Sequence, residues 1–197
     1  MQITTESIQD QIPYYLTKEA KENLAKELNN FSEKTNYFTN RYQKEVLQGD
    51  GWLYLPVINP ESGERKLIKG ILISNSCDID PENIRDLPIK VSFAPIIRLN
   101  QFEKLLLQEI AEPDRIKAKI SSIKAQKITS LFYLPKGGKL EEEYVALLND
   151  IHSIPYKKLI DEKDQSKLFT LNQIGFYIFL FKLSVHFCRF HENIDRS

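Results

Sequence analysis

Two β-type segments joined by a strong turn are the feature that most limits how this chain can fold. Residues 52–58 and 66–74 are rich in the aliphatic and aromatic side chains that favour strands, and Asn-Pro-Glu-Ser-Gly lies between them at residues 59–63. Asn and Pro favour the opening of a turn, and Gly63 can adopt the positive φ that many turns need. The pattern therefore predicts a β-hairpin, with Gly70 as a bulge or a point of close backbone approach.

A run of polar side chains ends the second strand of this hairpin. The apolar residues 71–73 are followed at once by Ser74, Asn75, Ser76, Cys77 and Asp78. Strand ends present side chains to ligands, so this run is a candidate for catalysis or binding, with a cation such as Arg189 favouring the Cys77 thiolate. In the competing structural interpretation, Cys77 is a small buried residue and Asp78 either caps the following loop or forms a buried ion pair with Arg189. We favour this second interpretation, because a pair that fixes the closing helix onto the sheet needs the same sequence.

Helices are predicted on both sides of the hairpin, and further strands follow it. An apolar residue recurs about every four positions from Leu16 to Phe31, which is typical of an amphipathic helix. Pro113 should divide a long helical stretch, and Pro95 suggests that its strand is an edge strand or carries a bulge. In chain order we predict helices at 17–31 and 36–47, a third strand at 89–97, helices within 100–126, strands at 127–134 and 144–154, a charged linker at 157–167, and a closing helix at 171–192 capped by Thr170.

These elements describe an α+β protein with a small, mainly antiparallel sheet. Residues 1–50 form a predicted N-terminal helical segment, and residues 51–197 form the sheet with its inserted helices and the closing C-terminal helix. The 197 residues are enough for one hydrophobic core with an appendage or for two small domains, and the sequence sets no oligomeric state.

Charge and composition exclude several classes of protein. Lys and Arg together number 27, as do Asp and Glu, so the formal net charge is zero. This balance argues against a general nucleic-acid coat and leaves room for a local basic groove. Two cysteines are too few for a disulfide framework, and the polar N-terminus predicts no secretory signal. The longest apolar stretch, at 174–188, is short of a membrane span, so we predict a cytoplasmic protein that does not bind membranes.

Neither a metal site nor a cofactor is predicted. Cys77, Cys188, His186 and His191 follow no zinc-binding spacing, since no Cys-x-x-Cys is present and the two histidines lie five residues apart. The glycine pair at 137–138 lacks the Gly-Lys-Ser/Thr sequence of a phosphate-binding loop, so a turn is predicted there.

Basic residues near the hairpin are candidates for contact with nucleic acid. Arg65, Lys66 and Lys69 lie on the return strand, and Arg98 lies at the end of the third strand. Lys and Arg side chains are common partners of phosphate groups. The alternative is that they occupy solvated positions of the sheet, which the equally numerous acidic residues nearby favour.

Several short sequences resemble a known superfamily. Gly-Trp-Leu-Tyr-Leu at 51–55, the long turn with Arg65, and Gly-Ile-Leu-Ile-Ser at 70–74 resemble the small SH3-like barrels of the MazF/PemK toxins, which cut RNA. A more specific similarity is to uncharacterised bacterial proteins of mobile-element and phage-defence loci, which carry a Ser-x-Ser-Cys-Asp signature as at 74–78. Those proteins also have sequences that resemble residues 91–96, 132–135, 148–151 and 187–190.

The resemblance implies an SH3-like barrel with helical additions and a groove near Arg65 and residues 74–78. It implies a binding or regulatory protein of a bacterial defence or toxin–antitoxin system, whose groove contacts RNA, DNA or a partner protein encoded nearby. The alternative is a metal-independent RNA endonuclease in which Arg65 stabilises the transition state. The toxins use a Thr or Ser at the end of the third strand, where this chain has Ile97 and Arg98. In the endonuclease, Ser74, Ser76 or Asp78 would replace that hydroxyl or the base.

Overall fold

A computed structural model describes residues 36–83, 86–109, 112–160 and 167–187. Within these residues the fold is mixed α+β, with an antiparallel half-barrel sheet and five helices. The strands are β1 (Phe38–Thr39), β2 (Gly51–Ile58), β3 (Arg65–Leu72), β4 (Lys90–Arg98), β5 (Leu131–Leu134), β6 (Tyr144–Leu147), β7 (His152–Pro155) and β8 (Lys167–Leu171). The helices are α1 (Ser76–Ile79), α2 (Leu99–Glu109), α3 (Pro113–Lys124), α4 (Tyr156–Ile160) and α5 (Gln173–Phe187).

The sheet has the strand order β1-β8-β2-β3-β4-β6-β5, and β7 pairs with β4 beside this path. The predicted hairpin is confirmed as β2 and β3, and the predicted break between two helices is confirmed by Pro113 at the start of α3. Long β4 is the centre of the sheet: β7 pairs with residues 90–93, and β6 pairs with residues 96–98 of the same strand. β4 therefore lies between β3 and β6, and residues of these two strands flank it on either side.

Pro95 lies within the central strand, so the expectation of an edge strand is wrong. Pro95 is opposite Gly70 of β3, and it lies between the part of β4 that pairs with β7 and the part that pairs with β6. Proline has no N–H for a sheet ladder. The change of neighbouring strand at this point is the physical reason that an interior strand tolerates it.

Residues 36–47, predicted as a helix, contain strand β1 followed by bends. Tyr37 and Phe38 are buried in the main core, where their ring centroids lie 6.2 Å from Phe132 and 5.0 Å from Phe169 respectively. Tyr42 has a φ of 61°, which no α-helix allows. Burial of the two aromatic rings against distant strands therefore decides the conformation here, because local helix propensity is a weak preference.

The predicted linker at 157–167 contains all but the first residue of α4 and the first residue of β8. Thr170, predicted to cap the closing helix, lies within β8 opposite Thr39. The helix begins at Gln173, and the side chain of Asn172 accepts a hydrogen bond from Gly175 N at 2.9 Å. The single strand predicted at 144–154 is two strands, β6 and β7, which both pair with β4. The strand predicted at 127–134 begins only at Leu131.

Three clusters of buried side chains hold the fold together. The largest joins the sheet to α5 and includes Phe132 and Phe179. The second lies among β2, β3, β4 and β7, and Ile79 of α1 and Leu159 of α4 belong to it. The third joins α2 and α3 to β5 and β6. The predicted helix at 17–31 lies outside the described residues, as do residues 188–192 of the closing helix. In the described part of the chain, no helix combines the length and apolar character needed to cross a membrane.

Replacing Gly175 by Ala should destabilise the protein by about 1–3 kcal/mol, because it overpacks a contact between α5 and the backbone of Tyr37. A Cβ at position 175 would lie 2.7 Å from the carbonyl oxygen of Tyr37 and 3.2 Å from its Cα. Alanine is favoured over glycine in helices by about 1 kcal/mol, so a stabilised variant would show that the helix can move away. Urea unfolding measures the change, with Ser121→Ala on the exposed side of α3 as the control.

Candidate functional site

The polar run at 74–78 forms the junction between β3, α1 and the start of β4. The hydroxyl of Ser74 accepts a hydrogen bond from Ser92 N at 2.8 Å, and that of Ser76 accepts one from Gln48 N at 2.9 Å. The side chain of Asn75 caps α1 by accepting a hydrogen bond from Cys77 N at 2.9 Å. Three of the five candidate side chains therefore have structural hydrogen bonds, which explains why a strand ends in so many polar residues.

Cys77 and Asp78 are both exposed on α1. The prediction of a buried Cys77, and of a buried ion pair formed by Asp78, is therefore wrong for these two residues, because α1 presents them at the surface and buries Ile79 instead. Arg189, the predicted partner, lies outside the described residues, as do Cys188 and His191. Cys77 borders a cavity of about 410 Å³ between α1 and residues 44–47.

Arg65 and Lys66 lie at the other end of the hairpin. Arg65 is the first residue of β3, and Lys66 forms an exposed ion pair with Glu64 at 3.4 Å. Seven residue steps separate Arg65 from Leu72, which corresponds to roughly 23 Å along an extended strand. Arg65 and the polar run at 74–78 are therefore at opposite ends of β3, and this strand does not bring them into one groove.

Lys69 and Arg98, by contrast, meet at Tyr144. The ammonium of Lys69 donates a hydrogen bond to the phenol oxygen of Tyr144 at 2.7 Å, and it lies 4.9 Å from the ring centroid. Arg98 is opposite Tyr144 in the register of β4 and β6, and it interacts electrostatically with the same phenol. Two of the four basic residues predicted to contact nucleic acid are thus joined by a tyrosine. We call Lys69, Arg98 and Tyr144 the Tyr144 cluster.

The Tyr144 cluster borders an open cavity of about 420 Å³ on the surface of the sheet. β3, β4 and β6 supply most of its walls, and Gln101 of α2 adds an amide. The other lining residues are apolar: Ile68, Pro95, Ile96 and Ile97. The site therefore combines two cations and a phenol with an apolar floor.

The two cations change the acidity of the phenol. Burial raises the pKa of Tyr144, but the hydrogen bonds and positive charges of Lys69 and Arg98 outweigh burial, so its pKa lies below the ordinary value. The pKa of Arg98 is raised, first by its hydrogen bond with Tyr144 and then by the charge of Glu142. The cluster therefore favours negative charge at the phenol oxygen and at any group that contacts it.

Acidic residues lie on one side of the Tyr144 cluster. Glu142 forms an ion pair with Arg98 at 3.5 Å and accepts a hydrogen bond from Asn100 at 3.1 Å. Glu143 pairs with Lys124 at 2.9 Å on the other side of the strand end, and hydrogen bonds from Lys124 and Tyr133 help to offset the effect of its burial, so its pKa is lowered. The positive charge of the cluster is therefore local and has an acidic border.

The sequence named Lys69 and Arg98 but missed Tyr144. The three residues are connected only through the pairing of β3 with β4 and of β4 with β6. The available signal was a basic residue on the predicted return strand and another just after the predicted third strand. The pairing between the strands shows that both meet at Tyr144.

Comparison with protein-family models finds no match to this chain, and comparison with curated proteins finds none either. Among residues 36–83, 86–109, 112–160 and 167–187, no group of three or more His, Cys, Asp or Glu side chains is arranged to hold a metal ion.

Proposed function

We propose that this protein is a cytoplasmic binding or regulatory protein that contacts nucleic acid through the Tyr144 cluster. The observation that carries the proposal is the convergence of Lys69 and Arg98 on one phenol beside an open cavity. Phosphate groups are bound in proteins by Lys and Arg side chains and by hydroxyl donors such as that of tyrosine. All three kinds of group are present here.

The phenol can take part in binding while it keeps both cations. A tyrosine hydroxyl has two acceptor positions and one donor hydrogen. With Lys69 donating to the oxygen and Arg98 beside it, the hydrogen of Tyr144 can be donated to a phosphate oxygen in the cavity. The apolar side chains of Ile68 and Ile97 on the floor can then contact the sugar or the base.

The sequence resemblance at residues 51–55 and 70–78 supports two further parts of the proposal. One is a bacterial defence or toxin–antitoxin setting, and the other is membership of the MazF/PemK-like SH3-barrel superfamily. The hairpin followed by a polar junction and a closing helix is consistent with that proposal. A partner protein encoded nearby is the other ligand that the resemblance suggests. Failure of nucleic acid to bind would favour it.

Lys69→Gln and Arg98→Gln should each weaken binding of a fluorescent single-stranded RNA or DNA by about tenfold, because each removes one charged contact to phosphate. The dissociation constant and its salt dependence are measured by fluorescence polarisation. Each variant should also reduce the slope of log affinity against log salt by about one. Lys117→Gln on α3 is the control, since it removes the same charge from an exposed residue that pairs with Asp114 of the same helix and does not belong to the cluster.

Two results would contradict the proposal: no binding by the wild type at low salt, or equal binding by the wild type and both variants. Melting temperatures should show that the variants are folded. Because each replaced side chain is at least partly exposed but also makes a hydrogen bond or an ion pair, we expect losses of stability of about 1 kcal/mol.

One observation favours the alternative of a metal-independent RNA endonuclease. The lowered pKa of Tyr144 would help its phenolate to accept the proton of a ribose hydroxyl, and Lys69 and Arg98 would stabilise charge on the phosphate. The incubations with RNA therefore include a chelator and a gel assay. Cleavage by the wild type that is lost in Tyr144→Phe would support the enzyme, whereas intact RNA would leave the binding function. Arg65→Ala and Asp78→Ala test the roles that the resemblance assigned to those residues.

A further inference from the structure

We propose that the Tyr144 cluster binds a terminal phosphate, the phosphomonoester of a nucleotide or of a nucleic-acid end, in preference to the phosphodiesters within a strand. This inference rests on the proposed function, because it specifies which phosphate the same site recognises. It is carried by the way the two cations converge, by the acidic border of the cavity and by the direction in which basic residues continue.

The positive charge is concentrated at one point. Lys69 donates a hydrogen bond to the oxygen of Tyr144, Arg98 lies opposite the same tyrosine, and both line one cavity. Their charged groups therefore act on one small volume and not on successive positions along a groove. A phosphomonoester carries between one and two negative charges near neutral pH and has three terminal oxygens, whereas an internal phosphodiester carries one charge. Two convergent cations and a phenol hydrogen therefore match the monoester better.

The acidic border opposes a strand that continues past the site on the β6 side. Glu142 lies 3.5 Å from Arg98, and the charge of exposed Glu141 also acts on Arg98. A phosphate that followed the bound one in this direction would approach both carboxylates and be repelled. A ligand that ends at the Tyr144 cluster avoids this repulsion.

Basic residues continue on β3, which lies on the other side of β4 from the acidic residues that precede β6. Arg65 and Lys69 are four residues apart on a strand whose own register is regular, so they lie on the same face of the sheet. Exposed Leu67 lies between them on that face. A strand whose end occupies the cavity could therefore leave along β3 towards Arg65.

The cavity is large enough for the group that carries the phosphate. Its volume of about 420 Å³ lies within the range of roughly 300–1,000 Å³ that is common for small-molecule sites. Ile68, Pro95 and Ile97 form an apolar surface beside the cations, where a sugar or base can pack. A free mononucleotide and a strand end share this chemistry, and the experiment distinguishes them.

The test compares one short, internally labelled RNA in three forms: with a 5′-phosphate, with a 3′-phosphate, and with hydroxyls at both ends. We expect one of the phosphorylated forms to bind about tenfold more tightly than the hydroxyl form, and we expect Lys69→Gln and Arg98→Gln to remove that preference. Lys117→Gln should keep it. An unlabelled nucleoside monophosphate should compete for the site, whereas the corresponding nucleoside should not.

The failure of this inference is distinguishable from the failure of the proposed function. If all three RNA forms bind equally and Lys69→Gln still weakens each of them, the site binds internal phosphates and the inference is wrong. If no form binds, the proposed function is itself wrong. Arg65→Gln identifies the source of the phosphate: weaker binding of the RNA with unchanged competition by the monophosphate indicates a strand end, and no change in either indicates a free nucleotide.

Discussion

Replacing Lys167 by Met is expected to destabilise the protein by about 3–5 kcal/mol, because it leaves the buried carboxylate of Asp50 without its counter-charge. Lys167 Nζ lies 2.8 Å from Asp50 Oδ2, and the side chains are 6% and 0% exposed. Burial raises the pKa of Asp50, and the hydrogen bond and charge of Lys167 lower it in part. Without Lys167, the folded protein must bury an unpaired charge or protonate the carboxyl group.

The same ammonium also holds a long connecting segment in place. Lys167 donates hydrogen bonds to the carbonyl oxygens of Tyr42 at 2.7 Å and Glu45 at 2.5 Å, and it lies 5.8 Å from the ring centroid of Trp52. Asp50 Oδ2 accepts a further hydrogen bond from Leu47 N at 2.8 Å. The pair therefore fastens residues 42–50 to β8, which adds to the expected loss of stability.

Urea unfolding followed by the fluorescence of Trp52, the single tryptophan of the sequence, measures this effect. Lys117→Met is the matched control, since its ion pair with Asp114 is exposed and a pair of this kind contributes at most about 1 kcal/mol. In a double-mutant cycle, Lys167→Met with Asp50→Asn should lose less stability than the sum of the two single variants. Additive losses, or a Lys167→Met variant as stable as the control, would show that the two charges do not depend on each other.

Stability is expected to rise with pH from about pH 7 towards pH 9, by up to about 1.4 kcal/mol for each pH unit, because of Lys182. Lys182 is 1% exposed on α5, and burial lowers its pKa from 10.5 to about 7. Between these two values the unfolded chain binds a proton that the folded protein lacks, so raising the pH favours folding. Below pH 7 the amine is protonated in both states, and this contribution no longer changes with pH.

Measuring the free energy of unfolding of the wild type and Lys182→Met over this pH range isolates the effect. The difference between the two curves should change with pH, since methionine cannot titrate. The measurement should end near pH 9, because burial raises the pKa of Tyr37 and gives an opposite pH dependence once tyrosines of the unfolded chain ionise near pH 10. Parallel curves would mean that Lys182 stays protonated in the folded protein. Its hydrogen bonds to the carbonyl oxygens of Gln126 and Ile128 would then be sufficient to hold the charged form.

The parts of the fold that could be predicted depend on neighbours in the sequence. The turn at 59–63 closes with Gly63 at a φ of 69°, and Pro113 begins α3 where its missing N–H is not needed. The parts that were missed depend on distant partners. β1 exists because it pairs with β8, and both were assigned to other structures because each is short and contains polar residues.

The candidate site divides in the same way. The residues at 74–78 were found because a polar run after an apolar strand is a local signal. The structure shows that Ser74 and Ser76 of this run accept hydrogen bonds from the backbone of Ser92 and Gln48, so their role is structural. Lys69 was found as a basic residue of the hairpin, and Arg98 as one at the end of the third strand. Their shared partner Tyr144 comes from another strand, 46 positions beyond Arg98, so no local pattern indicates it.

The sequence by itself determined the α+β composition, the hairpin of β2 and β3, the division of α2 from α3 and the basic residues that are available for binding. Only the tertiary structure decided that Lys69 and Arg98 act at one point while Arg65 lies at the far end of the strand, and that Lys167 and Lys182 are buried. The physical reason is that turns and helix breaks follow from the backbone preferences of a few adjacent residues. Strand pairing and the burial of charge depend instead on contacts between segments far apart in the chain, where the gain from packing outweighs local preference.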